Sequence, residues 1–360
     1  MTTTTGRTAL NRPRLTGARW AGWIVGLLAL TTAIAMLALL LGVTPISPVR
    51  ALTPDTLDQT ILLGIRLPRV LLGLMVGGAL GAAGAALQAI LRNPLADPFV
   101  LGVSGGAALG ATFAIVAGAM LTMSIGPLEI SGQADGLAGA VPISIAAAIG
   151  ALCSTFLMLF VARSSGRLEP HSMLLAGVVF NAFAAALILF LRTLVTPDQA
   201  HALLPWLVGN LGHRSWSYLA TGAVLVGAGT CFLILRSSRL NLLSVGEESA
   251  ATLGVDVERT RLELIVVVSM IVGATVSLAG LVGFVGLVVP HMLRLVIGPD
   301  HRLLILASAL GGASFLVGCD LLSRLAFLSV GTELPVGVVT AMIGAPLFLV
   351  LLRRSDRKRH

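Results

Sequence analysis

Lysine is all but missing from this chain. Among 360 residues the only one is Lys358, third from the end. The interior therefore offers neither a P-loop lysine nor a Schiff-base lysine, which excludes ATP hydrolysis by the chain itself. Charge of either sign is scarce: 11% of residues are charged, against about 25% in an ordinary soluble domain. With 56% of residues hydrophobic, a soluble globule could not cover its apolar side chains, and disorder is excluded too. Cysteine is rare, and Cys153, Cys231 and Cys319 each lie in an apolar run. That leaves no disulfide framework and no metal-ligand spacing. The six histidines form no ligand cluster, and no metal or cofactor is expected on this chain.

What is present is hydrocarbon. A bilayer span uses about 20 apolar residues, so the ~200 here fill roughly ten. Charge-free runs cover 20–49, 70–91, 98–128, 136–162, 170–191, 215–235, 264–293, 303–319 and 334–352. The first holds a helix over 20–41, too long for a signal-peptide core and without a clean cleavage site. Run 98–128 reads as a helix over 99–119 and an external loop over 121–136. Run 264–293 is too long for one helix and short for two. Gly280, Gly283 and Gly286 break it into a helix ending near Ala279 and a short helix over 286–295.

Positive charge tests the count. Basic residues crowd both ends, Arg7 to Arg19 and Arg353 to Arg359, which places both termini in the cytoplasm. Ten crossings then put eighteen of the 24 basic residues inside. Arg50, Arg66, Arg69, Arg192, Arg214 and Arg324 alone fall outside. The expected architecture is an all-α membrane protein of about ten transmembrane helices. It has a cytoplasmic tail over 1–19, a membrane body over 20–352 and a second tail over 353–360. Two five-helix halves would form an inverted repeat. Gly73, Gly77 and Gly81, and again Gly106 and Gly110, recur every fourth position, a pattern that lets helix backbones approach in lipid.

Four places carry chemistry. Arg66-Leu-Pro-Arg69 opens the second helix at the outer side, against the charge bias. It reads as interfacial snorkelling or as a docking point for carboxylates of an external partner. Gly102-Val-Ser104-Gly105 matches a GxSG protease motif with His291 as base, although glycine packing explains it better. Residues 244–256 form the most polar internal segment. Ser244 is read as the cap of a short helix over 247–253, with Glu247 and Glu248 in its first turn and Gly254 as its stop. Ala250, Ala251 and Leu253 give it an apolar face, which suits either a solvated loop or docking into a partner's groove. Asp320 and Arg324, four apart, form an acid-first pair inside an apolar run. A lone paired acid argues against an ion-coupled secondary transporter. His171, His213, His291 and His301 are expected to meet water or head groups, and Trp20, Trp23, Trp206 and Trp216 to anchor the interfaces.

Together these motifs resemble the FecCD/BtuC-like permease family, the membrane subunits of binding-protein-dependent ABC importers for ferric siderophores, haem or cobalamin. The likeness runs from about residue 60 to 352. It rests on Arg66-Leu-Pro-Arg69, Gly84-Ala-Ala-Leu-Gln88, Asn93-Pro-Leu-Ala-Asp-Pro98, Leu101-Gly-Val-Ser-Gly-Gly-Ala107 and Trp206-Leu-Val-Gly209. It continues through Gly246-Glu-Glu-Ser-Ala250, Leu253-Gly-Val255, Gly283-Phe-Val-Gly-Leu-Val-Val-Pro-His291, Asp300-His-Arg302, Glu333-Leu-Pro-Val-Gly337 and Gly344-Ala-Pro346. The resemblance implies a multi-pass permease of the bacterial cytoplasmic membrane. Its implied partners are a second permease subunit, identical or homologous, two ATPase subunits that use ATP, and an extracytoplasmic substrate-binding protein. By the same resemblance, Arg66, Arg69 and Arg324 meet glutamates of the binding protein. Gly246, Glu247, Glu248, Ala250, Leu253 and Gly254 belong to the ATPase-coupling segment. Ferric siderophore is the first substrate expected, with haem and cobalamin as alternatives.

The topology is testable with single cysteines at positions 298 and 135 in intact cells. An impermeant thiol reagent should label 135 and leave 298 unlabelled; the reverse pattern would invert the assignment.

Overall fold

A computed structural model of the chain describes residues 17–51, 53–125, 137–164, 167–197, 207–212 and 215–356. The two end tails for the most part, most of the expected external loop at 121–136, and Trp206, His213 and Arg214 lie outside the described residues. Among the described residues ten principal helices run α1 (Gly17–Leu40), α2 (Leu67–Ile90), α3 (Val103–Ile125), α4 (Leu137–Val161) and α5 (Pro170–Arg192). They continue with α6 (Trp216–Leu235), α7 (Val257–Ala279), α8 (Val285–Ile297), α9 (His301–Val330) and α10 (Val336–Asp356). Among the described residues seven helices are long and apolar enough to span a bilayer, and three more apolar segments lie in α3, α4 and α8. Apart from a two-residue antiparallel ladder, Arg163–Ser164 with Arg167–Leu168, the regular structure of the described residues is helical.

Several boundaries follow from identifiable chemistry. α7 ends at Ala279 because Gly280 takes φ 70°, where an L side chain is strained. α3 begins at Val103, later than the charge-free run suggests, because residues 93–102 fold as a turn. In that turn Asn93 Oδ1 accepts from Leu95 N at 2.9 Å and Asp97 Oδ1 from Phe99 N at 2.8 Å, two side-chain turns that compete with helix. Ahead of α2, Ile61–Arg66 forms a π-turn, with Leu67 N reaching Leu62 O. Pro68 explains it: its ring removes one amide donor and crowds the carbonyl four residues back.

α2 is the buried axis of the bundle, and its small residues set how closely neighbours approach. A Cβ on Gly77 would lie 2.4 Å from Gly312 O, and one on Gly81 only 2.0 Å from Ser308 O, so α2 and α9 cross backbone to backbone. α3 and α4 do the same through Gly110 and Ala146 O, where an added Cβ would fall 2.2 Å away. Gly84 faces Gly286 O of α8 at 1.9 Å from its would-be Cβ. Pro290, four residues on, has no N–H to give that carbonyl. Beside it Gln88 Nε2 donates to Leu287 O at 3.1 Å, a buried polar tie between α2 and α8.

Replacing Gly84 by alanine should destabilise the purified chain by about 2 kcal/mol or more, since overpacking against rigid backbone cannot be relieved by a rotamer change. Gly26, with open space around it, should tolerate the same change. Thermal unfolding of both variants in detergent checks this.

Candidate functional site

Two polar clusters stand at opposite ends of the bundle. At the first, Asp320 of α9 is 1% exposed and held by two arginines. Arg69 approaches from α2 with Nε and Nη2 both on Oδ1, at 2.9 and 2.7 Å. Arg324 lies one turn beyond Asp320 on the same helix, its Nε 3.1 Å from Oδ2. The α2–α9 seam places the carboxylate between them. Arg69 also pairs with Glu333, in the link between α9 and α10. Glu333 is thus the fourth member of this cluster. Its side chain is 44% exposed against 12% for Arg69, so the Arg69–Glu333 pair is the rim of the cluster.

The other two arginines turn inward. Arg66 is buried, and its guanidinium donates to Leu39 O at 2.8 Å, Leu40 O at 2.7 Å and Thr44 O. Arg324 adds Ala38 O at 3.1 Å and Leu41 O at 3.4 Å. These are the orphan carbonyls of the last turn of α1 and the residues just after it, where the helix dipole favours a cation. An exposed arginine triad is therefore not what this chain presents by itself. Arg66 and Arg324 cap α1, and Arg69 alone reaches the rim.

The second cluster surrounds residues 244–256. The short helix runs Glu247–Thr252, and a preceding helix, Ser237–Val245, packs under α2. Ser244 is not its cap. It sits inside the preceding helix and donates to Asn241 O at 2.7 Å, while Gly246, at φ 157°, fills the cap position. Gly254 ends the segment at φ 81°, and Val255 N closes back on Ala250 O at 3.0 Å. Ala250 faces the core and not a partner; Ala251 and Leu253 point outward, Leu253 being 66% exposed. Glu248 is exposed as well. Glu247 Oε1 accepts from the buried Arg261 of α7 at 2.6 Å and stands 3.8 Å from Arg92 at the end of α2. Arg92 in turn donates to Leu243 O at 3.1 Å. The segment is thus pinned to α2 and α7, a connection that sequence spacing did not reveal because Arg261 lies fourteen residues from Glu247.

The remaining candidates resolve simply. Ser104 Oγ and both ring nitrogens of His291 have no hydrogen-bond partner among the described residues. His291 stacks edge-on with Phe348 at 6.2 Å, so no protease dyad forms. His291 and His301 are buried and do not meet water, His301 Nδ1 lying 2.9 Å from Asn241 Oδ1. His171 and His213 have no described side chain. Asp97, in the turn between α2 and α3, is pushed up to about 6 by burial, with its Phe99 bond pulling the other way. Trp23 and Trp216 are exposed, while Trp20 packs against Ile297, Leu303 and Ala307. No group of three histidine, cysteine or acidic side chains converges on a metal position among the described residues.

Comparison with known proteins decides the identity of this arrangement. The profile of the FecCD transport family matches residues 28–354. The chain belongs to the FecCD family. Its relatives include the cobalamin import system permease protein BtuC of Halobacterium salinarum, 40% identical over 310 residues, 86% of this chain and 78% of that one. The hemin transport system permease protein HmuU of Yersinia pestis is 39% identical, over 83% of this chain and 85% of its own. An ABC transporter permease of Bacillus subtilis, YvrB, is 36% identical over 98% of both chains. A solved metal-chelate type ABC transporter in an inward-facing conformation superposes with a TM-score of 0.79 at 29% identity. It covers 93% of this chain and 99% of that one. This FecCD protein is therefore a transport subunit, an ABC importer permease crossing the cytoplasmic membrane several times.

Within the family fold, the Asp320 cluster predicts a sharp asymmetry. Asp320→Asn should cost about 3–5 kcal/mol, because it strands two arginines around a buried site. Glu333→Gln, at the exposed rim, should cost no more than about 1 kcal/mol. Unfolding of the detergent-purified variants measures both.

Proposed function

We propose that the chain lines a translocation pathway for a metal chelate and works with a second permease subunit, identical or homologous. Two ATPase subunits lie below it and an extracytoplasmic binding protein above, with both termini of the permease in the cytoplasm. The observation that carries the assembly is the segment 246–254. It offers a partner an exposed Leu253 and Glu248, while Glu247 ties it to α7 through Arg261 and lies near Arg92 at the end of α2. A partner that moves this segment moves membrane helices. ATP binding on separate subunits would supply that movement and switch the bundle between outward-open and inward-open states.

At the other end, Arg69 is the residue we propose to receive the binding protein. A carboxylate from that partner can replace Glu333 on its guanidinium, an exchange between like groups. Arg66 and Arg324 stand behind it and add positive potential from their buried positions.

Cobalamin is the substrate ranked first, because relatives from Halobacterium salinarum and Klebsiella pneumoniae at 40% and 39% identity carry it in their names. A ferric siderophore, ranked first on sequence alone, is the second reading, and the metal-chelate type of the matching structure favours it. Haem is the third, from the Yersinia pestis relative. A membrane interior poor in charge suits all three, since the binding protein would supply affinity.

The complex reconstituted in proteoliposomes, with ATPase and binding protein, should accumulate cobalamin when ATP is present. Accumulation of a ferric hydroxamate or haem instead would replace the substrate and keep the importer. Leu253→Asp should lower ATPase recovery about ten-fold or more by placing a charge in an apolar groove. Arg69→Glu should weaken binding-protein affinity in a salt-sensitive way while the ATPase still co-purifies. Normal uptake in both variants would refute the assembly.

A further inference from the structure

Where α6 ends and α7 begins, a cleft of about 370 Å³ opens beside the coupling segment, sharing residues 254–256 with it. Arg236 follows the last residue of α6, Arg239 lies on the short helix after it, and Arg259 stands in the first turn of α7. All three converge on one carboxylate. Glu263 is 3.5 Å from Arg236 Nη2, 4.0 Å from Arg239 Nη1 and 3.2 Å from Arg259 Nε. Asp256, the other acid in the cleft, is engaged as the cap of α7 and accepts from Arg259 N at 3.0 Å. Three cations against two carboxylates leave the cleft with a net positive charge, and the N-terminus of a 23-residue helix adds to it. Each guanidinium carries five donors, and one shared carboxylate at these distances leaves most of them free to point into the cleft.

The position says which anion fits. Arg236 lies over the Phe232 ring, 5.1 Å from its centroid, so its stem is fixed against the last turn of an apolar helix. Leu235, the residue before Arg236, is 75% exposed and faces out of the bundle. A basic pocket at a membrane surface, with apolar helix face beside it, matches a phosphate that carries acyl chains. We propose that this cleft binds the phosphate of an anionic lipid headgroup. Its floor, residues 254–256, is continuous with the end of the segment 246–254, so the headgroup would seat directly against the link between that segment and α7. The inference does not depend on the transported substrate.

The test uses the full chain in neutral detergent, titrated with dioleoyl phosphatidylglycerol or dioleoyl phosphatidylcholine and read by native mass spectrometry. Wild type should retain one phosphatidylglycerol per chain with a preference of about ten-fold or more over phosphatidylcholine. Arg239→Gln with Arg259→Gln should reduce that preference to about two-fold or less, and Arg259→Gln alone should give an intermediate loss. Both positions are exposed enough that folding should be untouched, which the unfolding temperature without lipid verifies. A charge-matched control, Arg19→Gln with Arg353→Gln, should keep the preference. Equal losses in the control and the cleft variant would overturn the site. Saturable binding of inorganic phosphate without any lipid preference would assign the cleft to a soluble anion and overturn the lipid reading.

Discussion

The contact on which the rest of the structure depends is the seam between α2 and α9. Gly77 and Gly81 let the α2 backbone lie directly on Gly312 and Ser308. In lipid there is no hydrophobic drive between helices, so close backbone packing and polar ties must hold them. The seam supplies the first and fixes the geometry of the second. At one end it sets Arg69 against Asp320; toward the other it sets Gln88 on Leu287 O and Arg92 on Leu243 O. A Cβ at Gly77 or Gly81 would meet the α9 backbone and force the two helices apart.

The charged residues of the bundle follow the same economy. Asp320 has two guanidiniums, and these in turn reach Glu333 and the carbonyls at the end of α1. Of the seven candidate spans among the described residues, α1 is the least covered, at 6% buried. Arg66 and Arg324 hold its final turn, and Thr31 ties its middle to Ser314 at 2.8 Å. α1 packs Trp20, Ile24 and Leu27 on Ile297, Leu303 and Ala307, and Ile34, Ala35 and Ala38 beside Val70 and Val317; the polar ties add to that apolar contact where no water competes for them. This gives the buried Arg66 and Arg324 a structural role, and it leaves Arg69 as the cation whose partner, Glu333, is exposed.

The opposite end uses surface charge differently. Arg261 is buried and reaches Glu247 and Glu258, while Glu247, Glu258 and Arg92 are all partly exposed. Exposed pairs are individually weak, so what matters is connection and not strength. The segment 246–254 is tied to α7 through Glu247, neighbours α2 through Arg92 and buries Ala250 in the core, with a glycine of positive φ at each end. Such a piece can shift as a unit.

By itself the sequence determined the membrane class, the ten-helix count, the break at Gly280 and the close-packing faces. All of these follow from local composition and from spacing along one helix. It also marked residues 244–256 and the pair Asp320 and Arg324, since both are charge where charge is costly. Tertiary structure decided what each group touches. Glu333 meets Arg69 across 264 positions, and Arg261 takes Glu247 across fourteen. Ser244 loses its cap role to Gly246 because a further helix precedes it, and Ala250 turns inward because that helix sets the rotation. Two arginines three apart read alike in sequence. Only the placement of α1 beside α2 makes Arg66 a cap for its carbonyls and leaves Arg69 at the rim.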